Sequence, residues 1–196
     1  VCNNNSLSAI TSIPDSISRS ALNLISTQTA SSSATISFTS GIDSTYKEYI
    51  FKFIDVHPAT DGASLTFNGS SDSGSNYNVT KTTTVFRAYN QQDDGGNALG
   101  YRTSDDLKQS TSFQILNFEI DNDADSCGVG ILHLFNPSDT TFVKHFIHTG
   151  NSVQSTYTRN DFVGGYFDTT SAIDAIQFKM SSGNIDSGTI KLYGVS

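Results

Sequence analysis

The sequence predicts an all-β fold, an antiparallel jelly-roll-like β-sandwich of about ten strands behind an N-terminal extension. Three observations carry that expectation. Good helix formers are scarce, with a single Met and Glu only at Glu48 and Glu119, whereas 13 Phe, 8 Tyr and abundant Thr and Ile favour strands. Apolar and polar residues alternate over short runs, the period of a strand with one buried face. Clusters of Gly, Asn, Asp and Ser separate those runs at short intervals, as turns do. The 196 residues are enough for one large domain with a substantial core.

Residues 1–19, VCNNNSLSAITSIPDSISR, stand apart from the rest. Their single apolar residues follow no sustained period, so they are expected to form an extension or arm ahead of a domain over 20–196. Leu7, Ile10, Ile13 and Ile17 cannot build a core alone but can fill pockets on a neighbour, which makes them the candidate assembly contacts.

The strands then follow in order. SALNLIS (20–26) leads through a TQTASSS turn to ATISFTS (34–40), where Ile36 and Phe38 share a face. EYIFKFIDVH (48–57) is apolar on both faces, with Tyr49, Phe51 and Phe53 opposing Ile50, Ile54 and Val56. That pattern predicts a central strand covered on both sides, ended by Pro58. ASLTFNGS (63–70) alternates again and closes on Asn68-Gly69, a turn signal. YNVTKTTTVFRAY (77–89) is β-branched enough for a long strand, and the irregular 91–110 stretch is expected to hold one helical turn near 105–108. SFQILNFEI, GVGILHLFNP, TTFVKHFIHT and a short STYT come next, followed by DFVGGYFDT. In DAIQFKMSS (174–182), Ile176, Phe178 and Met180 point inward, and GTIKLYGVS adds Ile190 and Leu192. Gly183-Asn184 and Ser187-Gly188 between these last two strands predict a hairpin.

Charge and motif content exclude several functions. At net charge −8, with 11 Lys and Arg spread thinly, the chain lacks the basic footprint that nucleic acid requires. No apolar run approaches the length of a membrane-spanning helix. No secretory signal is legible, and the start at Val1 rather than Met leaves room for residues upstream. Cys2 and Cys127 are too few for a disulfide framework and are expected to be free thiols.

Asp121, Asp123 and Asp125 alternate as hard oxygen ligands for calcium would. However, Gly128 comes too late for an EF-hand loop and Leu132 stands where the bidentate Glu belongs, so a solvated acidic loop is expected. Asp93 and Asp94 have still less to recommend them. His145 and His148 lie an odd number apart and face opposite ways on a strand, and His57 and His133 are isolated, so no zinc site is predicted. There is no G-x-S-x-G elbow and no phosphate-cradling glycine loop. The sequence therefore predicts no catalytic residue, no metal site and no cofactor. Asn4, Asn68 and Asn78 match the glycosylation acceptor pattern, which a Ser/Thr/Asn-rich chain produces by chance.

EYIFKFIDVHPATDGASLTFNGS, LHLFNPSDTTFVKHFIHT and the closing SAIDAIQFKMSSGNIDSGTIKLYGVS carry a resemblance to the virion structural proteins of tailed bacteriophages of marine and cyanobacterial hosts. The resemblance covers roughly residues 20–196 and carries strand and turn patterns but no catalytic motif. It implies a β-sandwich subunit on the particle surface, on the head or in the tail. The function expected from this together with the missing catalytic motifs is a non-enzymatic structural one, foremost a capsid decoration or cement protein bridging coat subunits. Its implied partners are major capsid or tail proteins and copies of itself, with a trimer preferred, assembled in the host cytoplasm. The alternative is a carbohydrate- or receptor-binding module of a tail or head fibre.

Overall fold

The structure is a computed structural model that describes residues 21–196. Within them, twelve strands form two antiparallel sheets: β1 (Leu22–Ser33), β2 (Ile36–Phe38), β3 (Glu48–Pro58), β4 (Ala63–Ser70), β5 (Lys81–Gln91), β6 (Asn97–Tyr101), β7 (Gln114–Ile120), β8 (Gly128–Phe135), β9 (Lys144–Gln154), β10 (Tyr157–Phe167), β11 (Ala175–Met180) and β12 (Ile185–Val195). The large sheet runs β1-β12-β3-β8-β9-β10-β5-β6 and the small one β2-β11-β4-β7. Leaving aside the β5–β6 and β9–β10 hairpins, β1-β12-β3-β8 faces β2-β11-β4-β7, and the chain repeatedly crosses from one sheet to the other. That is the jelly-roll arrangement. The two hairpins are additions that widen only the large sheet.

The predicted core faces are correct. Ile176, Phe178 and Met180 on β11 and Ile190 and Leu192 on β12 are all buried. Their pairing is not as predicted. β11 pairs with β2 and β4, and β12 pairs with β1 and β3, so no C-terminal hairpin forms. The short 181–184 connection carries the chain between the two layers, and the two inward faces meet across the core. Phe178 is the junction, with its ring centroid 5.3 Å from Phe51, 5.1 Å from Phe53 and 6.2 Å from Phe38, all edge to face.

Tertiary pairing overrides other local signals. TQTASSS is no turn: β1 runs unbroken through it, held by the register Thr27–Lys191 to Ser31–Ser187 along β12. Asn68-Gly69 lies inside β4, because the Asn68 carboxamide is buried and donates to the carbonyls of Tyr77 and Thr111. Burial also takes Asn68 out of reach as a glycosylation acceptor. Residues 105–108 form no helix; Asp105 N–H closes a turn onto the Arg102 carbonyl, and β6 occupies 97–101. STYT and DFVGGYFDT merge into the single strand β10.

β3 does lie inside the large sheet, between β12 and β8. Tyr49, Phe51 and Phe53 fill the core, but Ile54 is exposed and Ile50 half-buried. A bulge at Asp55 (φ 51°), opposite Gly188 (φ 121°) on β12, turns Val56 back into the core. The strand is covered on one face only, since the four-stranded sheet packs on a single side.

Candidate functional site

Leu7, Ile10, Ile13, Ile17 and Cys2 lie outside the described residues. Cys127 carries a free, half-buried thiol 3.9 Å from the Asp55 carboxylate, and burial pushes its pKa up. The acidic loop does not gather its carboxylates. Asp121 turns its Oδ2 to the Ser155 N–H, while Asp123 and Asp125 face solvent. Among the described residues, no group of three His, Cys, Asp or Glu could hold a metal ion. His145 is exposed and His148 fully buried, on opposite faces of β9 as their spacing requires. The side chains of Asp93 and Asp105 make local turn contacts, to Gly95 N–H and to Arg102 respectively.

Two surface features stand out instead. The first is the outer face of the large sheet. Antiparallel register aligns Lys52, Ile131, Thr149, Phe162, Phe86 and Tyr101 in one row across β3, β8, β9, β10, β5 and β6. Phe86 and Phe162 stack with centroids 4.7 Å apart and planes within 9°. Ile131 within the row and Ile54, Val129 and Ile147 beside it are exposed, Ile147 at 53%. An open antiparallel face normally carries polar residues, so this apolar strip is a departure from the usual alternation.

The second feature follows from the unequal widths of the sheets. The small sheet ends at β7, leaving the inner face of β10, β5 and β6 open at the far end of the large sheet. A pocket of about 390 Å³ lies there, lined by Arg87, Arg102, Arg159, Tyr89, Tyr101 and Tyr157, with Glu119 on the β7 rim. Every arginine among the described residues lines this one pocket. Strand geometry explains how. Arg87 and Tyr89 share a face of β5, and Tyr157 and Arg159 share a face of β10, because residues two apart point the same way. Arg159 pairs directly with Tyr89 in the register.

Each guanidinium is held by a carboxylate. Arg87 Nε lies 2.8 Å from Asp161 Oδ1, and Asp161 Oδ2 also accepts the Phe118 N–H. Arg102 Nε lies 3.0 Å from Asp105, and Arg159 Nη1 lies 2.6 Å from Glu119. Burial raises the Asp161 pKa, and Arg87 opposes that rise. Glu119 reaches the rim through a bulge: Phe118 and Glu119 together oppose Ser64 of β4, and Glu119 adopts φ 40°. Ser64 Oγ accepts the displaced Glu119 N–H. Tyr89 and Tyr157 meet edge to face at 5.6 Å, and the Arg87 guanidinium lies 3.9 Å from the Phe118 ring centroid.

Lysines are placed differently. Lys81 and Lys144 are buried on either side of Phe167, each donating to two backbone carbonyls. Desolvation draws Lys81 down to about 7. Their Nζ groups close the end of the sheet rather than line the pocket.

The arginine–tyrosine pocket was missed in the sequence. Its signal is the recurrence of Arg next to Tyr in RAY (87–89), YR (101–102) and YTR (157–159). Nothing local says that the three pairs converge. Chemically the pocket offers fixed donors and acceptors side by side with aromatic faces, a set suited to binding. No protein-family model matches the chain, and no curated protein or solved structure matches it.

Proposed function

We propose that the chain is a non-enzymatic structural subunit of a tailed-bacteriophage virion, foremost a capsid decoration or cement protein that bridges coat subunits. The observation that carries this reading is the open outer face of the large sheet. The β3 sequence is written for burial on both sides, yet the fold covers only one, and Ile54, Ile131, Ile147 and Phe162 remain for a neighbour to cover. The jelly-roll order and the sequence resemblance agree with it. Partners would be the major capsid or tail proteins and further copies of the chain, preferably as a trimer assembled in the host cytoplasm and retained in the virion. A glycan- or receptor-binding role in a tail or head fibre is favoured by a separate observation, the arginine–tyrosine pocket, and the two roles can share one surface subunit.

The test is the solution mass of the full chain by light scattering, together with rebinding to particles stripped of it. An oligomer that Ile147→Lys converts to monomers, with loss of rebinding, is the expected result. A wild-type monomer that ignores particles, or sustained polysaccharide hydrolysis by the purified protein, would overturn the reading.

A further inference from the structure

We infer that the arginine–tyrosine pocket is a saccharide site that takes a neutral pyranose through paired hydroxyl contacts. This deepens the recognition reading of that pocket and rests on it. Four observations converge. The volume, about 390 Å³, falls at the small end of the range of small-ligand sites and is open at the rim.

Arg87 is only 7% exposed and lines the wall, yet its Nη2 has no hydrogen-bond partner. That nitrogen has no accessible surface and the guanidinium lies on the Phe118 ring, so Arg87 forms a fixed floor to the pocket rather than a free donor.

The charges balance. Arg87, Arg102 and Arg159 are matched by Asp161, Asp105 and Glu119 at 2.8, 3.0 and 2.6 Å, so the pocket has no net attraction for a free anion. What it presents is a guanidinium donor beside a carboxylate acceptor, most openly at Arg159 and Glu119. Neighbouring hydroxyls of a sugar ring, each both donor and acceptor, complement such a pair.

Finally, Tyr89 and Tyr157 supply apolar faces for the C–H side of a pyranose, each with a polar tip.

The experiment uses ¹⁵N/¹³C-labelled full-length protein and follows the arginine Nε–H and tyrosine ring resonances. The probes are methyl α-glucopyranoside, methyl α-mannopyranoside and methyl β-galactopyranoside, with sodium acetate and sodium sulfate as anion controls. At least one glycoside should shift Arg159, Arg102 and Tyr157 saturably, with a Kd on the order of 1 mM, while acetate and sulfate leave them in place. Arg159→Ala and Tyr157→Ala should each weaken that binding about tenfold or more with unchanged thermal unfolding. If either variant unfolds, Arg102→Ala, at an exposed position, serves in its place. Shifts produced equally by acetate or sulfate would overturn the saccharide assignment while leaving recognition standing. No shift with any probe at tens of millimolar would overturn both.

Discussion

Removing the Phe178 ring should cost about 3 to 5 kcal/mol of stability. Phe178 is fully buried on β11 and touches rings from both layers, Phe51 and Phe53 on the large sheet and Phe38 and Phe67 on the small one. A buried aromatic side chain removes roughly 150 to 250 Å² from water, which at about 25 cal/mol per Å² is roughly 4 to 6 kcal/mol. Residual compactness of the unfolded chain reduces that by roughly 10 to 40%, and the alanine methyl retains a little more. The result agrees with the range measured for such truncations. Because the ring joins the two sheets, the cavity in Phe178→Ala sits where neither layer can collapse without disturbing the other. Guanidinium unfolding followed by tyrosine fluorescence gives the number directly, since the chain has no Trp. The midpoint should fall with an unchanged m-value, and the melting temperature should drop by roughly 10 °C. Phe142→Ala, at a position 69% exposed, is the control and should change stability by less than about 0.5 kcal/mol. A loss below about 1 kcal/mol for Phe178→Ala would refute the placement of this ring at the junction of the layers.

Three further outcomes follow from the same structure. His148 is fully buried; desolvation lowers its pKa to about 3, the backbone at Ile131 and Leu116 offsetting only part. Below pH 6.5 the unfolded chain takes up a proton that the folded ring refuses, so stability should fall by up to roughly 1.4 kcal/mol per pH unit from 6.5 toward 3. His148→Leu should flatten that slope in pH-dependent denaturation, and an unchanged slope refutes the assignment. Asp161→Ala strands Arg87 and the Phe118 N–H in the interior and should cost about 3 to 5 kcal/mol, read by the same unfolding assay; less than about 1 kcal/mol would mean that the pair is solvated. Deleting residues 1–19 should leave the circular dichroism and unfolding midpoint unchanged while weakening particle binding. Equal binding by the shortened chain would remove the arm from the proposal.

What the sequence determined by itself was local and periodic. The inward faces of β11 and β12 were legible because side chains alternate along a strand whatever it pairs with, whereas β3, read as buried on both faces, is covered on one and breaks its alternation at the Asp55 bulge. The opposite facings of His145 and His148 followed from the same parity. Pairing was another matter. Ser187-Gly188 looks like hairpin chemistry, but Gly188 serves the bulge opposite Asp55, and β12 pairs with β1 and β3 far away in the chain. Asn68-Gly69 looks like a turn until Tyr77 and Thr111 supply acceptors for a buried carboxamide. The arginine pocket was the least legible feature of all. Arg87, Arg102 and Arg159 come from three strands or strand ends, and only the register of β5, β6 and β10, together with a small sheet that stops at β7, brings them to one place. The period of a strand is written in its own residues, whereas convergence depends on which long-range pairings win the competition for the core.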